Sequence, residues 1–121
     1  MQNTKEIGTA GEQAAREYLE EKGYEIQKMN YTQKYGEIDI IALSPENVLV
    51  FAEVKTRKNS DYGLACEAVD RKKQEKIIKT AMSYYYSGDM RFDVVEVYYE
   101  DNDGFSVKNI NHIENAFEAW S

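Results

Sequence analysis

Asp39, Glu53 and Lys55 are the residues of this chain whose types and spacing suit phosphodiester chemistry. They lie on two β-branched runs, Gly36-Glu37-Ile38-Asp39-Ile40-Ile41-Ala42-Leu43 and Val48-Leu49-Val50-Phe51-Ala52-Glu53-Val54-Lys55, separated by Ser44-Pro45-Glu46-Asn47. Two such runs around turn residues read as a β-hairpin. Strand side chains alternate, so Glu37, Asp39, Ile41 and Leu43 are expected on one face of the first strand. Leu49, Phe51, Glu53, Lys55 and Arg57 are expected together on the second. With the turn centred on Glu46, Leu43 meets Leu49, Ile41 meets Phe51, and Asp39 meets Glu53. A slip of one residue would send the two acids to opposite faces.

Two opposed carboxylates ~5 Å apart repel by roughly 3 kcal/mol at an effective dielectric near 20. One exposed lysine offsets only about 0–1 kcal/mol of that. A hard dication such as Mg2+ or Mn2+ offsets all of it, because it binds one or two carboxylates, keeps several waters and leaves places for a substrate phosphate. Lys55, two residues past Glu53 on the same face, can orient an attacking water or stabilise a pentacovalent phosphate. The plainer reading is a solvent-facing strand end with ordinary Glu/Lys pairing.

The elements that must position these groups follow from periodicity. Thr9 to Lys22 reads as a helix, with Ala10, Ala14, Ala15, Tyr18 and Leu19 at helical spacing and Gly23 suited to the left-handed residue past its end. Glu12 flanks that stripe. Tyr24 to Tyr31 reads as a strand, and roughly Glu67 to Tyr86 as a second helix stopped by Gly88. There Gln74 falls in line with Ile77, Ile78, Ala81 and Tyr85, where a hydrophobe is expected. A polar amide on an inward face needs a partner, either in a metal-site pocket or on a buried backbone group. Lys73 sits beside it, within reach of a phosphate. Arg91 to Tyr99 and Phe105 to Ile110 read as strands joined by a turn over Asp101 to Gly104. From His112 to Trp120, Ile113, Ala116, Phe117 and Trp120 share a helical face. The expected order is α-β-β-β-α-β-β-α, one domain over residues 1–121 with a central mixed sheet flanked by helices.

The 121 residues are 42% hydrophobic and 31% charged, which is globular composition. Cys66 is the only cysteine and no Cys/His cluster occurs, so neither an intrachain disulfide nor a zinc site is expected. The polar start, Met1 to Ile7, and the short longest apolar run, Val48 to Ala52, leave no membrane span, and a reducing cytoplasm is expected. The net charge of −7 argues against a general nucleic-acid binder. Residues 51–80, however, carry eight basic and five acidic side chains, among them Lys55, Arg57, Lys58, Lys72 and Lys73. Such a local patch can hold a phosphate backbone, or it can be a solvated helix face.

Together these residues resemble the PD-(D/E)XK nuclease motif: an acid on the first helix, an Asp on one strand, and Glu-x-Lys on the next. The blocks GEQAAREYLEEKGYEI, NY followed by GEIDIIA, VFAEVKTR, EAVDRKKQ and RFDVV resemble, in this order, the YraN family of small bacterial proteins over roughly Gly8 to Phe117. That family is similar in expected fold to archaeal Holliday-junction resolvases, which are metal-dependent homodimeric endonucleases. The resemblance implies a restriction-endonuclease-like core, a homodimer, and cleavage of DNA, branched or single-stranded. It implies Glu12, Asp39 and Glu53 as acids around Mg2+ or Mn2+, Lys55 as catalytic cation and Gln74 as an accessory polar group. Arg57 and Lys73 would face phosphate. Thr32 stands where the family commonly carries Arg, and Ile38 where the superfamily carries proline.

Two other readings remain open. One is a nuclease core that grips nucleic acid or a protein without turnover; the other is a purely structural or interaction protein. His112 reads as a cap or surface residue, Cys66 as an inert thiol, and the ten tyrosines as packing more than base-stacking groups.

Overall fold

A computed structural model describes residues 3–63, 69–84 and 87–119. Helix α1 (Thr4–Glu21) begins earlier than its apolar stripe predicts, because Asn3 caps it: the Asn3 side chain accepts the Glu6 N–H at 2.8 Å and donates to the Glu6 carboxylate at 3.1 Å. It ends at Gly23, whose φ of 90° is the left-handed conformation expected there. Strands β1 (Glu25–Gln33), β2 (Gly36–Leu43) and β3 (Leu49–Lys58) form an antiparallel meander. A single 3-10 turn (Asn59–Asp61) precedes helix α2 (Arg71–Met82), capped by the Asp70 side chain. Strand β4 (Met90–Asp101) then runs parallel to β3, and β5 (Phe105–Phe117) runs antiparallel to β4. The five strands lie in sequence order in one mixed sheet.

Each face of the sheet carries one helix. Ala15 and Leu19 of α1 pack with Ile40, Ala42, Val50, Ala52, Val95 and Val97. Ile77 and Ala81 of α2 pack with Ile38, Ile41, Leu49, Phe51, Phe92, Val94 and Phe117 on the other side. Gly11 lets α1 lie directly on β3, since a Cβ there would sit 2.0 Å from the Thr56 hydroxyl. No helix among the described residues is long and apolar enough to cross a membrane.

Two expectations are corrected. The tail has no third helix in its described part. His112 to Phe117 extends β5, held by Asp93 of β4, which bonds His112 Nε2 at 2.7 Å and accepts the Asn115 N–H at 2.9 Å, while Phe117 stacks on Phe92. Over so short a window, helical spacing of apolar residues does not separate helix from strand. Trp120, Cys66, Tyr85 and Tyr86 lie outside the described residues.

The second correction concerns alternation in β2. Ile38 and Ile41 pack toward α2 while Ile40 and Ala42 pack toward α1, so the pattern shifts by one residue at Asp39. Asn30, between the facing pairs Met29↔Ile40 and Tyr31↔Ile38, has φ 51° and marks the same break in β1. A strand buried on both faces has no polar side to hold its phase, so such a shift leaves the apolar burial intact.

Candidate metal centre

The hairpin register is as expected near the turn: Leu43 pairs with Leu49 and Ile41 with Phe51. The ladder then stops at Ile40↔Ala52, so Asp39 and Glu53 are not paired across it. Instead the Asp39 carboxylate accepts the Val54 N–H at 2.8 Å, taking the role of the missing strand carbonyl. Buried acids thus gather where β2 and β3 cease to pair: Asp39 is 9% and Glu53 7% exposed.

Carboxylate oxygens of Glu12, Glu37 and Asp39 lie within 4.8 Å of one another. Glu12 arrives from α1 and accepts a hydrogen bond from Asn30 Nδ2 at 3.0 Å. Glu37 is held by the Thr32 hydroxyl, also at 3.0 Å. Asp39 sits at the centre, its carboxyl pushed up to about 7 by burial first and then by the charge of Glu53, against the pull of the Val54 N–H. Glu37 was not among the expected site residues. The signal for it was present in Gly-Glu-Ile-Asp, where strand alternation sets Glu37 and Asp39 on one side.

Glu53 is not one of the three. Its Oε1 lies 2.5 Å from Lys73 Nζ, reaching across from the first turn of α2. Half-buried Lys55 stands beside both, its pKa lowered by burial and then by the Lys73 charge. Burial works against the Lys73 ammonium, but its bond to Glu53 and the charges of Glu53 and Asp39 together outweigh that and raise its pKa. Four acids and two ammonium groups therefore gather at the end of the β2–β3 ladder.

The other expected residues are placed as follows. Gln74 donates its amide to the Val69 carbonyl at 2.8 Å, tying α2 to the segment before it. Arg57 lies against Glu96 of β4 at 3.5 Å. Lys58 and Lys72 are exposed, at the end of β3 and on α2. His112, expected at the surface, is buried, with 7% of its side chain exposed. It belongs to a second polar cluster, in which fully buried Asp93 holds Arg91, His112 and the Asn115 N–H.

The donor set suits a hard cation. All three candidate donors are carboxylate oxygens, and trans ligands on an ion with ~2.0–2.6 Å bonds lie ~4–5 Å apart, so small side-chain movements would bring the three acids onto one ion.

The family model described as "Uncharacterised protein family UPF0102" matches residues 11–97, which include Glu12, Glu37, Asp39, Glu53, Lys55 and Lys73. A UPF0102 protein of Caldanaerobacter subterraneus subsp. tengcongensis is 46% identical over 120 residues, covering 95% of this chain and 97% of its own. A UPF0102 protein of Clostridioides difficile is likewise 46% identical over 120 residues, covering 95% of this chain and 99% of its own. The chain belongs to UPF0102, the YraN family whose motif blocks it carries.

Proposed function

We propose that this UPF0102 member is a divalent-metal-dependent nuclease of the PD-(D/E)XK kind, hydrolysing phosphodiester bonds in nucleic acid, with branched or single-stranded DNA as the first substrates to test. The observation that carries this reading is the gathering of Glu12, Glu37 and Asp39 within 4.8 Å at the end of the β2–β3 ladder, beside Glu53 and Lys55. A scaffold gains nothing from that repulsion, whereas a dication turns it into binding.

Asp39, Glu12 and Glu37 would hold Mg2+ or Mn2+, joined by Glu53. The bound ion supplies Lewis acidity toward a phosphoryl oxygen and lowers the pKa of a coordinated water. Asp39, anchored by the Val54 N–H, fixes the ligand set to the sheet. Lys55 orients the attacking water or stabilises the extra negative charge on phosphorus, and its lowered pKa makes its proton easier to share. Lys58, Lys72 and Lys73 offer cations to the phosphates on either side, with Arg57 contributing if it leaves Glu96.

The purified protein with Mn2+ should cut at least one of duplex, single-stranded or four-way-junction DNA. Asp39→Asn should lose metal binding and cleavage, and Lys55→Ala should lose cleavage while retaining metal. All three DNAs left intact by folded, metal-loaded protein would refute catalysis. A second reading, a nuclease-like core that binds nucleic acid or a protein without turnover, is favoured by one contact: Glu53 is already held by Lys73. Salt-dependent DNA binding without cleavage would establish it.

A further inference from the structure

We propose that Lys73 is a resident stand-in for the metal: its ammonium holds Glu53 while the acid cluster lacks a divalent cation, and an entering cation displaces it toward the phosphate backbone of the nucleic acid. The inference rests on the metal reading above and concerns how that site is regulated.

The contact has the features of an exchangeable lock. Glu53 is buried, and Lys73 Nζ meets its Oε1. The lysine backbone is fixed, since its N–H donates to the Asp70 carboxylate at 2.8 Å in the first turn of α2. Its side chain is nevertheless 45% exposed, so the head can swing out while the helix stays in place. Lys55 is close enough to feel the charges of both Lys73 and Glu53, so Glu53 does not lose all cationic company when Lys73 leaves.

An ion recruiting Glu53 as well as Asp39 must displace that ammonium and meets it as a like charge. An occupant of this kind weakens apparent affinity by the fraction of molecules whose site is free, about two- to fivefold for a half-exposed ion pair. Once released, Lys73 stands beside exposed Lys72, where the pair can meet phosphate oxygens. Metal and nucleic acid would then favour each other's binding through one side chain, and such coupling is reciprocal.

The test is Mn2+ titration calorimetry on the full chain, comparing wild type, Lys73→Met and Lys79→Met, the last removing the same charge farther along α2. Lys73→Met should bind Mn2+ about two- to fivefold more tightly than wild type, and Lys79→Met should change it by less than about twofold. Binding by Lys73→Met where wild type shows none would support the lock still more strongly. Equal or weaker binding by Lys73→Met, or the same gain in Lys79→Met, overturns the exchange and leaves the metal site standing. Absence of saturable Mn2+ binding in every protein removes both. If Lys73→Met fails to fold, Lys73→Gln makes the same comparison.

Discussion

Replacing Asp39 with Asn should stabilise the metal-free protein, an unusual outcome for a change at a buried polar position. Asp39 titrates at about 7 in the fold, against an ordinary value of 3.8. The folded chain thus binds this proton more tightly than the unfolded one. The stability this confers is fully present below pH ~3.8 and is lost as pH rises, with the loss complete a little above 7. Relative to the protonated protein, the loss is about 2 kcal/mol at pH 5 and about 4 kcal/mol at pH 8. Asn cannot ionise and escapes it, while its amide oxygen still accepts the Val54 N–H, now as a neutral acceptor weaker by ~1 kcal/mol. The net gain is ~3 kcal/mol at pH 8 and ~1 kcal/mol at pH 5, or roughly 10 °C and 3 °C in Tm for a chain of this size. Thermal unfolding by circular dichroism in EDTA at both pH values reads this directly. Added Mn2+ should reverse the order at pH 8, because a cation at 1,000 times its Kd stabilises wild type by about 4.1 kcal/mol and the variant scarcely at all. If Asp39→Asn is no more stable than wild type at pH 8 in EDTA, or if the gap fails to narrow by pH 5, the acid is not under the burial and repulsion inferred for it.

Gly11→Ala should cost about 1–3 kcal/mol in urea unfolding, because the new methyl would lie 2.0 Å from the Thr56 hydroxyl and 2.9 Å from its Cβ. An unchanged midpoint would mean that α1 and β3 are not in close contact. Asp93→Ala should cost about 3–5 kcal/mol at pH 7, since it strands Arg91, His112 and the Asn115 N–H together. Burial pushes the Asp93 carboxyl up, but its three donors outweigh this and hold it below the ordinary value. Its contribution is therefore present above pH ~4 and fades as pH falls, so the difference from wild type should shrink in acid.

Much of the architecture is written in short patterns. Gly23 ends α1, the Ser44–Asn47 turn pairs Ile41 with Phe51, and Glu53-Val54-Lys55 sits on β3 just past the end of its ladder with β2. Local residue types suffice for these because turn chemistry and strand alternation act over a few residues. The tail read as helical because Ile113, Ala116 and Phe117 fit a helix face, yet the buried Asp93 on β4 recruits it as strand. Gln74 read either as part of the site or as the partner of a buried backbone group, and its amide reaches the Val69 carbonyl.

The amino-acid sequence by itself determined which groups could do chemistry: a run containing Glu37 and Asp39, a Glu-x-Lys pair, and a basic helix start at Lys72 and Lys73. Tertiary structure decided which of them meet. The phase shift at Asn30 and Asp39, the end of the ladder at Ile40, and the reach of Lys73 from α2 to Glu53 bring side chains of α1, β2, β3 and α2 together. Each depends on packing between residues distant along the chain. When both faces of a strand are buried, its local pattern leaves the phase open, and only the neighbours it packs against can choose.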